Sequence, residues 1–504
     1  MSSATGTDKI GDPSPAPPEP EQSKLGLALL VIAGAQLLLV MDNTIMNIAL
    51  PSIQKDLEVT GSNLAWIVNA YALAFGGLML LGGKAGDLFG RKRVFQIGLL
   101  IFTLASLFGG MAQNEWQLIA ARVVQGVGAA IASPTALSLI ATTFPEGKKR
   151  NNAMGVYAAM AGLGSTIGLI LGGTLTEHLS WRWVLYVNAP VGLIVLLGTR
   201  VLADTGRERG KLDVPGAITA TAGMVSLVHG ITRGGEEGWT DPLTLASFVA
   251  AAVLLSLFLF LQTKVAYPML PLRLLKDRNR SGSYATMLLG GAAMFALFYF
   301  LTLYMQQILD YTPFETGLAY LPFIVGLGMS ASWLAPKALP LVPPRVIAGS
   351  GAAIGALGMF LLSMLDTDSE YVSGILPGML ITGFGVGLVF VSVTLSAVSG
   401  TDRNDAGIAS GLLDASQQIG GALGLAALSS VATATADDKL PHASDEFFRG
   451  LATKDFNLVA RAQEALTEGY TQAFTVGTAV FVAATLVVVI AVNRGKQEEN
   501  EELG

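Results

Sequence analysis

Long apolar runs separated by short polar segments dominate the chain. Each run holds about 20 residues or more, the length that an α-helix needs to cross about 30 Å of hydrocarbon. The pattern predicts an all-α polytopic membrane protein with 14 transmembrane helices. We place these helices near residues 25–50, 63–82, 94–112, 116–142, 152–176, 183–203, 213–232, 242–265, 282–306, 315–336, 344–364, 371–394, 406–431 and 470–493.

The spacing of the runs groups the helices as six, two and six. This grouping predicts two six-helix bundles, over 24–203 and 281–494, connected by two inserted helices within 204–280. The fifth and thirteenth helices occupy corresponding positions in the two halves, and both are rich in glycine. Such a weak internal repeat is typical of transporters whose two halves rock around a site at the bilayer midplane.

Three segments outside these helices are polar. Residues 1–23 are rich in proline and poor in large apolar residues, which predicts a disordered cytoplasmic tail. We place a second cytoplasmic tail over 495–504, and we expect no cleavable signal peptide. The outer loop over 432–469 mixes charges with spaced apolar residues, which predicts a short amphipathic helix over the outer mouth.

Basic residues are distributed unevenly between the two sets of predicted loops. With the N-terminus inside, most of the 31 lysines and arginines fall in cytoplasmic segments. Loops that flank membrane helices carry such an excess on the cytoplasmic side. We therefore predict a multi-pass protein of the cytoplasmic membrane, in contact with lipid throughout, with both termini in the cytoplasm.

The composition excludes several classes of function. Only 13% of the residues are charged, whereas a soluble protein carries about 25%. The chain has no cysteine and three scattered histidines, so we expect no metal site. The sequence contains no phosphate-binding loop and no recognisable nucleophile–base pair, so we predict neither ATP hydrolysis nor an enzyme. The net charge of −6 lies in loops and tails and gives no reason to expect a nucleic-acid partner.

Three charged residues interrupt apolar helices: Asp42, Arg122 and Asp414. A charge at the bilayer centre costs about 2.5–3.5 kcal/mol on insertion scales, so such residues usually face the protein interior and have a function. Asp42 is either a proton-binding or cation-attracting carboxylate or a structural group near the outer mouth. Arg122 either stabilises a carboxylate that gains and loses a proton, or forms a static internal pair. Asp414 is either an inner proton site or a group solvated near the vestibule.

Polar and aromatic side chains lie near these charges. A polar stripe follows the first helix, an amide shares the face of Arg122, and the ninth helix is aromatic. Aromatic walls with a few polar groups suit flat lipophilic or cationic ligands, although the same residues also fit packing against lipid or other helices. The predicted substrate pocket comprises Asn43, Asn47, Gln125, Phe295, Phe298, Tyr299 and Gln306.

Residues 83–93 form a charged, glycine-bearing segment between the second and third helices. The segment resembles the signature at this place in the major facilitator superfamily, and departs from it at Leu88, where the family usually has a basic residue. The matching positions are Gly83, Asp87, Gly90 and Arg91, together with Lys92. The resemblance implies that Asp87 meets the cytoplasmic start of the thirteenth helix and stabilises the outward-facing state.

Three further segments extend the resemblance. The stretch from Met41 to Pro51 resembles the first-helix signature of the fourteen-helix drug:proton antiporters. The residues around Arg122 resemble the superfamily's fourth-helix motif, whose arginine is tied to proton coupling. The fifth helix has the glycine spacing of the superfamily's exporters, although Leu169 stands where that family has proline. Its glycines are Gly155, Gly164, Gly168, Gly172 and Gly173.

The resemblance implies a major facilitator fold and a monomeric antiporter that exports hydrophobic or cationic drugs. No cofactor is expected, because the proton gradient would drive transport. An exporter dedicated to one endogenous metabolite or antibiotic would have the same sequence features. A proton-coupled peptide symporter is less favoured, because the first helix has one acidic residue and no tyrosine.

Overall fold

The computed structural model describes residues 22–145, 147–203, 210–399 and 403–492. Within these ranges, 14 helices are long and apolar enough to cross a membrane, and one further helix is short. The helices are α1 Gln22–Leu57, α2 Gly61–Phe89, α3 Arg91–Gly110, α4 Glu115–Thr143, α5 Lys148–His178, α6 Trp183–Val201, α7 Val214–Glu236, α8 Pro242–Lys264, α9 Arg278–Ile308, α10 Pro313–Ala338, α11 Pro344–Leu362, α12 Tyr371–Val398, α13 Arg403–Lys439, α14 Ala443–Thr453 and α15 Phe456–Ala491. The predicted all-α architecture is confirmed. Most of the two predicted tails lies outside the described residues.

The two halves of the chain repeat the same packing. In the first half α1 packs on α5, and α2 and α3 both pack on α4; in the second half α9 packs on α13, and α10 and α11 both pack on α12. The inserted helix α7 packs on α8 and also on α2 and α13, so it lies against the seam between the halves. Large apolar side chains of α8, such as Val249 and Phe260, are exposed, as expected of a helix that faces lipid.

The connection between α2 and α3 is a single glycine. The sequence predicts a helix end near residue 82, but α2 continues to Phe89 and α3 begins at Arg91. Gly90 has a φ of 98°, a left-handed value that favours glycine, and its N–H donates to the carbonyl of Gly86. The predicted turn is therefore mostly helix, with one abrupt change of direction.

The predicted outer loop is largely helical. α13 continues to Lys439 and α15 begins at Phe456, so both helices extend beyond their predicted ends at 431 and 470. The predicted amphipathic helix is present as α14, which buries Phe447 and exposes Leu451. The prediction of bounds was wrong here because it relied on apolar runs, and a helix that leaves the hydrocarbon no longer needs an apolar surface.

Where α5 faces α10, the two halves touch at one end of the molecule and separate toward the other. Gly155, Gly162 and Gly173 lie on one face of α5, because they are spaced by about whole numbers of helical turns. A Cβ atom added at Gly173 would lie 2.5 Å from the carbonyl oxygen of Pro313 in α10. A Cβ atom at Gly162 or Gly155 would meet nothing within 4 Å.

Helix α10 shows the same divergence from the other side. A Cβ atom at Gly317 would lie 2.4 Å from the carbonyl oxygen of Leu169, whereas one at Gly328 would meet nothing within 4 Å. We call the end that holds Gly173 and Gly317 the closed face, and the opposite end the open face.

Candidate functional site

The carboxylate of Asp42 is fully buried within the N-terminal bundle and is held by three side-chain donors. Arg122 of α4 donates from Nη1 to Oδ2 at 2.7 Å. Gln125, one turn further along α4, donates from Nε2 to Oδ1 at 3.1 Å. Asn188 of α6 donates from Nδ2 to Oδ1 at 2.6 Å. All three of these donors come from side chains of other helices, two from α4 and one from α6, so the carboxylate connects α1 to both.

The guanidinium of Arg122 has further partners. Its Nε donates to the carbonyl of Ile67 at 3.2 Å, and Nη1 also donates to Oε1 of Gln125 at 3.1 Å. The guanidinium carbon lies 4.3 Å from the ring centre of Tyr71, a cation–π contact. Its Nη2 atom is buried and has no hydrogen-bond partner among the described residues. Arg122 would therefore keep several contacts if Asp42 lost its charge.

Helix α4 approaches α2 and α3 closely because small residues line the contacts. A Cβ atom at Gly126 would lie 2.6 Å from the carbonyl oxygen of Tyr71, so only glycine allows this approach. Ser106 of α3 accepts a hydrogen bond from Gln125 Nε2 at 2.7 Å, which orients the amide toward Asp42. The polar cluster thus connects α1, α2, α3, α4 and α6.

The charge of Asp42 contributes to the contacts of α1 with α4 and α6. Removing one partner from a buried ion pair leaves the other charge uncompensated, at a cost of about 3–5 kcal/mol. Neutralising Asp42 by a proton would end its ion pair with Arg122. α1 would then hold α4 and α6 only through weaker neutral hydrogen bonds.

Asp414 lies apart from this cluster. It is half-buried on α13, and no described residue donates a hydrogen bond to it. It lies within electrostatic range of Tyr157 on α5, so the carboxylate faces the other half of the molecule. No hydrogen bond or ion pair joins Asp414 to Asp42 or Arg122.

In the segment over 83–93, Asp87 forms an ion pair with Arg91, four residues further along the chain. Its Oδ1 accepts hydrogen bonds from Nε and Nη2 of Arg91 at 3.1 Å and 2.9 Å. A Cβ atom at Gly83 would make ordinary contact with Pro134, whereas one at Gly86 would lie 2.5 Å from Cγ2 of Thr135. The implied contact of Asp87 with the start of α13 stays a prediction, because residues 400–402 and the adjoining side chains lie outside the described part.

Three of the predicted glycines form the contact between α5 and α1. A Cβ atom at Gly168 would lie 2.0 Å from Oγ1 of Thr44. Cβ atoms at Gly164 and Gly172 would lie 3.0 Å and 3.1 Å from backbone oxygens of α1. Gly173 instead faces α10, and Gly155 faces open space. With no proline inside it, α5 runs unbroken through this contact.

The residues of the predicted substrate pocket lie in different parts of the structure. Phe298 stacks on Tyr320 with ring centres 5.0 Å apart, inside the C-terminal bundle. Phe295 packs against the glycine face of α13, while Tyr299 contacts Phe300. On α1, the amide of Asn47 donates to the carbonyl of Asn43 at 3.0 Å. Phe298 thus packs on α10 and Phe295 on α13, and a role of these residues in binding a substrate stays a prediction.

An amide cluster joins the halves at the closed face. Gln307 donates from Nε2 to Oε1 of Gln54 at 3.0 Å, and Gln306 donates to the carbonyl of Ile48 at 3.0 Å. Tyr470 donates to Oε1 of Gln307 at 2.7 Å. The end of α9 is a π-helical turn, Tyr304–Ile308, and the adjacent glutamines both reach α1 from it.

Sequence reasoning missed several of these polar residues. Asn188, Ser106, Gln54 and Gln307 are uncharged and so stood out less than Asp42 or Arg122 in apolar helices. The pair Gln306–Gln307 was a usable signal, because two successive amides are unusual in such a helix. Asn188 follows a break in α6 at Val187, where no helical face could be assigned in advance.

Comparison with known proteins shows the protein family of this chain. A family model described as Major Facilitator Superfamily matches residues 32–425. The puromycin resistance protein pur8 of Streptomyces alboniger is 41% identical over 470 residues, covering 92% of this chain and 90% of that protein. The cephamycin export protein CmcT of Amycolatopsis lactamdurans is 39% identical over 436 residues, covering 86% of this chain and 88% of that protein.

Solved structures share the fold. The crystal structure of a bacterial homologue of the human lysosomal transporter spinster, inward-facing and unoccupied, superposes with a TM-score of 0.68 at 16% sequence identity. The alignment covers 94% of this chain and 98% of that one.

Gly168→Ala and Gly155→Ala form a matched pair that tests the helix contact. The first substitution should destabilise the protein by about 1–3 kcal/mol, because its methyl group overlaps Thr44. The second should be neutral or slightly stabilising, because alanine favours helix and nothing lies nearby. Thermal unfolding of both purified variants measures the difference. Equal shifts in Tm would contradict the described packing.

Gln307→Leu should weaken the closed face. One hydrogen bond between halves is worth about 0.5–1.5 kcal/mol, so the population closed at that face should fall about 2- to 10-fold. Spin labels introduced through Glu58→Cys and Asp310→Cys, in a chain without native cysteine, report the distance across this face. Gln463→Leu is the control, because Gln463 binds Gln307 within the same half. An unchanged distance distribution in Gln307→Leu would count against the role of the cluster.

Proposed function

The chain belongs to the Major Facilitator Superfamily, and from this we propose that it exports hydrophobic or cationic drugs in exchange for protons. It is a multi-pass membrane transporter and not an enzyme. Proteins of this family move small molecules by alternating access, in which two halves rock around a central site. Its relatives include a puromycin resistance protein and a cephamycin export protein, which supports antibiotics as the class of substrate.

The observation that carries the proposal is the buried pair of Asp42 and Arg122. The carboxylate is 0% exposed and lies 2.7 Å from the guanidinium, so it exchanges protons only if the surrounding helices move. In the described state, Asp42 has the partners of an ionised group. Protonation in another state would neutralise it and loosen the contacts of α1 with α4 and α6.

Helix α1 connects this event to the gate. Asp42 is followed on the same helix by Ile48 and Gln54, which accept the hydrogen bonds of the closed-face amide cluster. A rotation or shift of α1 on losing its ion pair would displace both acceptors. The glycine contact with α5 supports such a movement, because a flat surface lets one helix slide on the other.

The distribution of basic residues supports a direction of transport. With the N-terminus in the cytoplasm, as that distribution predicts, the open face would lie in the cytoplasm and the closed face outside. The described state would then accept drug from the cytoplasm with Asp42 ionised. Opening to the outside would expose Asp42 to protons, and their binding would accompany release of the drug. No cofactor is needed, because the proton gradient supplies the energy.

Asp414 and Asp87 act at the open face in this scheme. Asp414 has no hydrogen-bond donor among the described residues, so its charge is available to a proton or a cationic substrate. Asp87, which binds Arg91 in this state, would meet the start of α13 when the open face closes. Both residues are thus free to change partners during the cycle.

An exporter dedicated to one antibiotic is the second candidate. It is favoured by relatives that are named for single compounds, puromycin and cephamycin. A panel of unrelated lipophilic cations and antibiotics separates the two functions. A dedicated exporter moves one chemotype, whereas a multidrug exporter moves several.

Asp42→Asn should abolish drug-dependent proton movement while the protein remains inserted. Asparagine retains the shape of the side chain but cannot release a proton at physiological pH. Everted membrane vesicles with a dye that reports the pH gradient measure the exchange when a drug is added. We expect the rate to fall at least about tenfold.

Asp56→Asn is the matched control. Asp56 is on the same helix but accepts hydrogen bonds from Trp181 and Arg182 near its end. This variant should exchange protons at nearly the wild-type rate. Wild-type exchange by Asp42→Asn would exclude Asp42 from the coupling path.

A further inference from the structure

We infer that a cavity at the closed face binds organic cations with an aromatic or apolar body. The cavity has a volume of about 390 Å³, within the usual range for small-molecule sites. It lies outside the Asp42 cluster, on the side of the amide cluster that faces away from the open face. The inference does not depend on proton coupling.

The cavity is formed where an inserted helix meets both halves. The end of α7, the start of α2 and the end of α13 make its walls, and α14 covers part of its mouth. Gln54 and Tyr470 line it and also belong to the amide cluster that joins the halves. Residues that join the halves at the closed face therefore also form part of the cavity wall.

The floor of the cavity is aromatic. Tyr299, Phe300 and Tyr470 line it, with ring centres 5.0 Å apart for the first pair and 5.8 Å for the second. Tyrosine and phenylalanine rings attract cations through their negative faces. They also bury apolar surface of a ligand.

One buried hydroxyl group in the lining has no hydrogen-bond partner among the described residues. Ser429 is 8% exposed, and its Oγ atom is buried without a hydrogen bond in the described part of the chain. Buried polar groups are normally hydrogen-bonded, so the Ser429 hydroxyl indicates a missing ligand or water.

The rim of the cavity is acidic. Glu236, Glu237, Asp437 and Asp445 line it, and none forms an ion pair with a described residue. Arg233 on the same stretch of α7 is already paired with Asp241. Within the described lining, His442 is the one basic side chain.

These features together select the class of ligand. Four carboxylates over an aromatic floor attract a positive charge and accommodate an apolar body. An anion would be repelled by the rim, and a small inorganic cation would make no use of the rings. A lipophilic organic cation would contact both the acidic rim and the aromatic floor.

The test uses a single cysteine introduced by Thr433→Cys, because Thr433 lines the cavity and the chain has no native cysteine. A trimethylammonium-bearing methanethiosulfonate and its sulfonate counterpart are applied to the purified protein. We expect the cationic reagent to react faster by on the order of tenfold, relative to the same ratio at Ala452→Cys on exposed α14. Equal ratios at the two positions would overturn the inference.

Protection by a ligand gives the second measurement. Tetraphenylphosphonium should slow labelling of Thr433→Cys, whereas neutral triphenylphosphine oxide should not. Adding Glu236→Gln and Glu237→Gln should reduce the apparent affinity for tetraphenylphosphonium about tenfold or more, and the matched Asp438→Asn should not. Protection by both compounds alike, or protection that survives the glutamine substitutions, would refute a cation site.

A further pair of variants tests the aromatic ring in proteins that remain folded. Tyr299→Phe retains the ring and its packing but deletes the hydroxyl. It should preserve protection by tetraphenylphosphonium, because the cation is held by the rings and the rim, while Tyr299→Leu should weaken it about tenfold. Equal protection in Tyr299→Phe and Tyr299→Leu, with both proteins folded, would show that the aromatic floor does not bind the ligand. Because no step involves transport, failure here leaves the proposed export function untouched.

Discussion

A charge inside a bilayer has to be neutralised by protein, and this constraint organises the N-terminal half. Asp42 is compensated by Arg122, Gln125 and Asn188, which come from two other helices. Helix α4, which carries two of these donors, packs closely on α2, where a Cβ atom at Gly126 would lie 2.6 Å from the carbonyl oxygen of Tyr71. Close packing therefore brings these donors within reach of the charge, whereas Arg122 and Gln125 keep other partners that do not depend on it.

Helix α1 is the element that the different parts of the molecule share. Its middle carries Asp42, one face packs on the glycines of α5, and its end contacts the amide cluster through Ile48 and Gln54. Each of these contacts is polar or closely fitted, so a movement of α1 affects all of them. The C-terminal half responds through α9, whose π-helical turn places two glutamines against α1.

The bilayer determines how much of the fold and of the candidate site could be predicted from the sequence. Hydrocarbon thickness fixes the length of each apolar run, so the number and order of the helices followed from the pattern. Where α13 and α15 leave the hydrocarbon that constraint ends, and their bounds were misjudged. Asp42 and Arg122 stood out as charges in apolar helices, but their pairing depends on long-range packing. Asn188 and Gln307 were missed because irregular turns set their directions.

The straight course of α5 has a mechanical consequence. Its contact with α1 is centred on Gly168, about 8 Å along the helix from Gly173 and about 20 Å from Gly155. If α5 tilts as a rigid rod about this contact, its two arms differ in length by more than twofold. A displacement of about 1 Å at the closed end would then move the far end by about 2.6 Å in the opposite direction. Small displacements at the closed face would thus be larger at the other end. The ratio of the two displacements would be set by the positions of the glycines along the helix.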